Sequence, residues 1–393
     1  MAIPDFLSPT FIEQHTTAAG LTQTAIAELV ALAERITADP ALQRCVEQLF
    51  AQVYQRADVV IDPPVETLFG AEANKLYLLL AVNAVHQLRT IQAQRGIPEA
   101  IILESHGALA MTARRYASWH GGQTGVEERV LRNWLGRTTA SGNLYRLGRM
   151  EYILKAFDGN LRVYRHKQSG QVQALAEEGV HFMADGYLPF TFDERTYTFY
   201  GWPKAEPTEE RWTMQLIEDE TTITGTPISP AGYALRTPLQ LVKAQWELVL
   251  RNGDTVLDMH IPSFMPLSLD LLQASLHRAL DFFPRYHPER PFKAFVCGSW
   301  LFNTQWEALL PAHSNILAFQ RQGYLYPLPS NGAGGLYFIF GEQIVDLNKA
   351  SQETELQRAV IKHMRAGGKL RNGGFLLLPE DATKFGKEPY RHA

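Results

Sequence analysis

Cysteine is scarce: Cys45 and Cys297 are the only two among 393 residues. Two thiols cannot form the disulfide framework of a small secreted domain, so a reducing, cytoplasmic setting is expected. A surplus of charge is missing too. With 37 basic and 41 acidic residues the formal net charge is −4, which excludes the strongly cationic surface of a general nucleic-acid or membrane binder. Long hydrophobic runs do not occur. The most apolar stretch, Leu76–Val82, falls far short of the ~20 residues that span a bilayer. MAIPDFLSPT at the start lacks a basic segment and an apolar core, so no signal peptide is read. No phosphate loop is present, because the glycine-rich SNGAGG at Ser330–Gly335 is followed by no Gly-Lys-Ser/Thr and reads as a turn. His106 and His120 stand apart from other ligand types, and no metal is expected.

What remains is a folded composition, 46% hydrophobic and 20% charged, with length for two or three domains. Residues 1–142 read as a helical domain. Ile26, Leu29, Val30, Ala33 and Ile36 recur at helical spacing, and Cys45, Phe50 and Val53 continue the stripe past Pro40. Further helices are expected over about 71–93, from Pro98, and around Tyr116. Residues 143–393 change character. NLYRLGRMEYILKAF, RTYTFYGW, NILAFQRQGYLY and the LYFIFGE that follows SNGAGG read as strand, and NLRVYRHKQSGQVQALAEE as a hairpin turning at Ser169–Gly170. Asn252–Gly253 is a turn signal. The expected class is α+β, or mixed α/β: a helical N-terminal domain ahead of a mixed sheet flanked by helices.

The second part is arranged around Thr255–Pro327, read as strand, helix, strand, short helix, strand. In TVLDMHI a period of two puts Asp258 and His260 on one face. The loop PSFMPLS leads into the helix LDLLQASLHRALDFF, for which Ser268 is a suitable N-cap and Leu267 with Leu272 a hydrophobic staple. Free N–H groups and the dipole at such a start can hold a phosphate, or the loop is simply a helix start. The loop has no glycine, and Asp270 adds a negative charge in the first turn.

Several runs, in one order, resemble a bacterial acyltransferase family with an N-acyltransferase N-terminal domain and a GNAT-like C-terminal domain. They are RGIPEAI (Arg95–Ile101), LYRLGRMEY (Leu144–Tyr152), ISPAGYAL (Ile228–Leu235), HIPSFMPLS with the helix and FVCGSW behind it, and LQRAVIKHMRAGG (Leu356–Gly368). The resemblance implies a central splayed sheet with the His260 and Cys297 strands parallel and adjacent. It implies coenzyme A or acyl-CoA as cosubstrate and an amine acceptor as partner. By position, TVLDMHI is similar to the family strand that carries the general base. PSFMPLS, from Ser263 through Phe264, Met265, Pro266 and Leu267 to Ser268, is similar to the loop that cradles the coenzyme A pyrophosphate. It departs from that loop in lacking both its glycines and its leading arginine or glutamine.

For acyl transfer, an ammonium must lose a proton before it attacks a thioester, and His260 is the candidate base. Asp258 could orient it or hold the ammonium. Ser299 and Trp300 are candidates for lining the acyl-CoA channel, and Tyr324, with Tyr326 beside it, for protonating the departing thiolate. Cys297 is either a buried core thiol, a substrate-lining residue, or the nucleophile of a thiol acyltransferase or hydrolase. Arg149 and Glu151, taken as two apart on a strand, either close over the acceptor or form an ion pair. A module that binds a metabolite without catalysis is the other class of reading.

Overall fold

The computed structural model describes residues 5–204 and 211–391. The chain divides into two compact units. The first is Met1–Ile153 with His260–Met265 and Asp281–Tyr286; the second is Leu154–Met259, Pro266–Leu280 and His287–Ala393.

The first unit is built on five helices: Pro9–Ala19, Gln23–Ala38, Pro40–Tyr54, Ala73–Gln94 and Glu99–Trp119. The side chains of Ser8, Thr22 and Asp39 accept N–H bonds at three of their starts. Each cap satisfies donors that a helix leaves open, contributing about 1 kcal/mol. The stripe read as running past Pro40 is broken there, because Asp39 ends one helix and caps the next. Ala73–Gln94 is apolar nearly all round, with Leu76, Leu79, Leu80 and Val82 fully buried, as a helix at the centre of a core must be. Leu131–Thr139 is a π-helix, in which the N–H of Ala140 returns to the Leu135 carbonyl five residues back. Gly136 lets this segment press on the Pro40–Tyr54 helix, since a Cβ there would lie 2.4 Å from Val53 Cγ1.

NLYRLGRMEYILKAF is a hairpin, Leu144–Leu147 against Met150–Ala156, rather than one strand. Gly148 turns it at φ 79°, a conformation glycine adopts without steric cost, and its N–H donates to Glu104 Oε1 (2.6 Å). Arg149 therefore sits in the turn, and Arg146 lies opposite Glu151 in register.

In the second unit, Thr255–His260 pairs parallel with Phe295–Ser299. Gly373–Leu377 and Tyr324–Pro327 continue the sheet antiparallel. The parallel ladder consists of Leu257 with Phe295 and Asp258 with Val296, so it stops before Cys297 and Ser299, as a splayed pair would. The hairpin at Ser169–Gly170 joins Leu161–His166 to Val172–Ala176. Asn252–Gly253 is a turn but makes no hairpin. The strand before it, Trp246–Leu250, pairs with Leu161–His166, while the strand after it enters the parallel pair.

Three segments read as strand are helical. Glu194–Tyr200 is started by the Asp193 carboxylate, which accepts from the Thr196 N–H, and is ended by Gly201 at φ 66°. Leu336–Phe340 lies between Gly335 and Gly341, both left-handed. Asn315–Gln320 is capped by Ser314 and precedes the Tyr324 strand. In each, capping outweighs the strand preference of aromatic and branched residues.

Candidate active site

The loop after the His260 strand is fastened from beneath by the hairpin turn. Arg149 donates from Nη1 to the Pro262 carbonyl (2.9 Å) and from Nη2 to the Met265 carbonyl (3.2 Å). It is buried, and burial with the nearby Arg146 lowers its pKa to about 10. Between the two carbonyls Phe264 adopts φ 62°, the left-handed conformation that the missing glycine would have taken without cost. Its ring is exposed, and the Arg114 guanidinium carbon lies 4.6 Å from the ring centroid. The loop thus holds a strained phenylalanine where glycine would be the easier residue.

Arg146 lies beside Arg149. Its backbone N–H donates to Ser105 Oγ (3.0 Å), and its guanidinium reaches the thioether sulfurs of Met111 and Met265 at 2.7 and 2.9 Å. Across the hairpin is Glu151, 5% exposed. Among the described residues its carboxylate has no hydrogen-bond or ion-pair partner. Burial raises its pKa above the usual carboxylate range, against the pull of Arg146, His260, Arg115 and Arg149, in that order. A carboxyl whose pKa is raised by burial is a candidate acid or base. The His260 imidazole packs edge-on against Trp134 of the π-helix, with 4.6 Å between ring centroids. The first unit therefore brings together Glu151, His260, Arg146, Arg149 and Trp134.

The other candidates occupy different settings. Asp258 makes an ion pair with Lys155 (3.3 Å). Cys297 is fully buried; burial, then the Asp258 charge, pushes its thiol well above the ordinary value, opposite to an activated nucleophile. The buried Tyr324 hydroxyl donates to the Ile228 carbonyl and accepts from the Ala174 N–H (3.1 Å) and Gln173 Nε2 (3.2 Å). Burial raises its pKa as well. Tyr326, also buried, is the tyrosine that feels Asp258 and Cys297. Ser299 Oγ accepts from the Leu301 N–H (3.2 Å). The Trp300 ring packs against Trp306 and Phe338, and its carbonyl accepts from the Trp306 indole (2.8 Å). Ser263 and Met265 stand on the fastened loop, and Pro266, Leu267 and Ser268 lead into Leu269–Tyr286. The Ser268 carbonyl accepts the Leu272 N–H (3.1 Å), which places Ser268 at the helix start.

Sequence reasoning passed over Arg146 and Trp134. Reading Gly148 as a turn would have set Arg146 opposite Glu151. Nothing local marks Trp134, since π-winding follows from packing. Among the described residues no three His, Cys, Asp or Glu side chains gather as a metal site, and no helix is long and apolar enough to cross a membrane.

Comparison with known proteins gives concordant results. Residues 11–140 match the N-acyltransferase N-terminal domain, and residues 144–376 match the GNAT-like C-terminal domain. A crystal structure of an acyltransferase in complex with decanoyl-CoA and teicoplanin is similar over 93% of this chain and 87% of that one, at 20% identity and a TM-score of 0.59. One with decanoyl-CoA alone matches at 21% identity and 0.55, covering 93% and 86%. A mutant acyltransferase with octanoyl-CoA matches at 20% and 0.58, covering 93% and 87%. A comparison with curated proteins finds no match. The chain belongs to the family of the GNAT-like C-terminal domain and, with an N-acyltransferase N-terminal domain ahead of it, is an acyltransferase.

Proposed function

We propose that the protein is an acyl-CoA-dependent N-acyltransferase that passes an acyl group directly to the amine of a small molecule or peptide. The observation that carries this reading is the buried, unpartnered Glu151 carboxylate beside His260. An amine entering as ammonium gives its proton to the Glu151 carboxylate, with His260 holding or relaying it. The freed nitrogen attacks the thioester carbonyl, a carbon–nitrogen bond forms, the carbon–sulfur bond breaks, and the coenzyme A thiolate leaves, taking up the second proton that the nitrogen sheds. Arg149 serves this chemistry by fixing the loop carbonyls. Asp258, Tyr324 and Tyr326 stand outside proton transfer in this reading. The first N–H groups of Leu269–Tyr286 are the proposed seat of the pyrophosphate. The similar structures hold octanoyl-CoA or decanoyl-CoA, and one holds teicoplanin, which supports a medium-length acyl donor and an amine on a large polar acceptor. The buried, proton-retaining Cys297 thiol speaks against a covalent acyl-enzyme.

Calorimetric titration with decanoyl-CoA tests donor binding, and release of free thiol in the presence of an amine panel, teicoplanin included, tests transfer. Saturable binding and amine-dependent thiol release are expected. No binding at millimolar decanoyl-CoA would overturn the reading.

A further inference from the structure

On the first unit, a pocket of about 460 Å³ is lined by Gln52, Val53, Arg56, Ala57, Asp58, Val59, Arg132 and Arg137. Three guanidiniums line it against the Asp58 carboxylate and the Glu128 carboxylate that pairs with Arg132, so it is net positive where the chain as a whole is net acidic. Two of the arginines share a face only because of the π-helix. In an α-helix, residues five apart point about 140° away from each other. The i→i+5 winding of Leu131–Thr139 sets residue 137 nearly above residue 132.

The pocket is also pre-organised. Arg132 donates from Nε to Glu128 (2.7 Å) and from Nη2 to Gln52 Oε1 (2.9 Å), while the Gln52 amide donates to the Val59 carbonyl. Arg132 is thus held in place with N–H groups to spare. Arg56 and Arg137 make no hydrogen bond or ion pair among the described residues.

Arg56 supplies an independent observation. It follows the C-cap Gln55 of the Pro40–Tyr54 helix and has φ 54°. Just past a helix end the left-handed residue is by default glycine, which takes it without steric cost. An arginine there strains the backbone and directs a guanidinium to the pocket, which the helix end itself does not require.

We propose that this pocket binds a phosphate monoester. Such a group carries nearly two negative charges at pH 7 and three acceptor oxygens, matching the uncommitted Arg56 and Arg137 guanidiniums and the remaining N–H groups of Arg132, which Glu128 already pairs. Asp58 on the rim disfavours more highly charged polyphosphates and accepts from a ligand hydroxyl. The ester is either the 3′-phosphate of coenzyme A or a separate small phosphorylated molecule. The π-helix that carries Arg132 and Arg137 also carries Trp134, which packs on His260.

The test uses the full chain, thermal shift and calorimetry, with inorganic phosphate, glucose 6-phosphate, coenzyme A and dephospho-coenzyme A, all at equal ionic strength. Inorganic phosphate and glucose 6-phosphate are expected to raise the melting temperature of the wild-type chain. Arg137→Gln and Arg56→Gly should each weaken binding about tenfold, one charge-assisted contact's worth. Because glycine relieves the left-handed strain, Arg56→Gly without ligand should melt no lower than wild type, so loss of binding is not loss of fold. A shift given by coenzyme A but not by dephospho-coenzyme A, and lost in Arg56→Gly, makes the cosubstrate's own phosphate the occupant. Equal behaviour of the two makes it a separate ester. Absence of any phosphate-specific shift in the wild type, or a shift that both variants retain in full, overturns the proposal.

Discussion

Replacing Glu151 with glutamine should push activity and stability in opposite directions. The carboxylate is buried and has no direct partner among the described residues. When ionised it loses its hydration without gaining a hydrogen bond, which costs about 1–3 kcal/mol. Arg146, His260, Arg115 and Arg149 return part of this through longer-range attraction, yet burial dominates and the pKa is raised. The linkage has a definite sign. A raised carboxyl leaves stability intact below its unfolded value, where it is neutral in both states, and erodes it as pH rises through the folded value. The isosteric amide should therefore gain roughly 1–2 kcal/mol above the folded pKa and nothing in acid. At 2–4 °C per kcal/mol for a cooperative unit of about 150–250 residues, the melting temperature should rise by roughly 2–8 °C at pH 8. Turnover in the acyl-transfer assay should fall by about 10²–10⁴-fold. The wild-type rate should climb with pH as the carboxyl ionises, and that limb should be absent from Glu151→Gln. Paired melts and pH–rate profiles at pH 5 and pH 8 decide the matter. A Glu151→Gln protein less stable than wild type at pH 8 would show that the ionised carboxylate is a favourable contact, and would refute the reasoning.

His260→Ala should lower turnover by roughly 10²–10⁴-fold with little change in decanoyl-CoA affinity, seen by pairing kinetics with calorimetry; full activity would remove the imidazole from the proton path. Cys297→Ser should retain most activity, since burial keeps the thiol protonated; a dead variant, with an acyl adduct trapped on the wild-type protein, would establish a thiol intermediate instead. Arg149→Ala leaves the Pro262 and Met265 carbonyls without their donor. It should cost about 2–4 kcal/mol in unfolding experiments and raise the decanoyl-CoA dissociation constant; unchanged stability would mean the loop is held by other means.

The larger elements were legible from residue pattern alone. The apolar stripe of Leu269, Leu272, Leu276 and Phe283 became the Leu269–Tyr286 helix, and the alternation in TVLDMHI became the Thr255–His260 strand. Segments whose state depends on their ends were misread: Glu194–Tyr200 and Leu336–Phe340 are rich in aromatics, and only Asp193 and the left-handed glycines make them helices. The candidate residues could be picked out singly, but not their arrangement. Glu151 and His260 stood out by chemistry, but the burial that raises the Glu151 pKa comes from groups distant in sequence. One missed turn at Gly148 moved Arg149 from an expected acceptor contact or ion pair with Glu151 to the carbonyls of a loop.

That position of Arg149 bears on how the loop can vary. Its guanidinium grips main-chain oxygens, which every amino acid supplies, so the path from Pro262 to Met265 does not depend on which side chains the loop displays. Ser263 is therefore free to drift, in natural divergence or in a designed library, while the scaffold beneath it keeps its shape; Met265 is tied by its thioether to the Arg146 guanidinium. Phe264 is restricted as well, because its left-handed backbone admits glycine, asparagine or aspartate more readily than any bulky replacement. A library that randomises position 263, keeps Met265 and restricts residue 264 to that short alphabet would sample new surface chemistry without unmaking the loop.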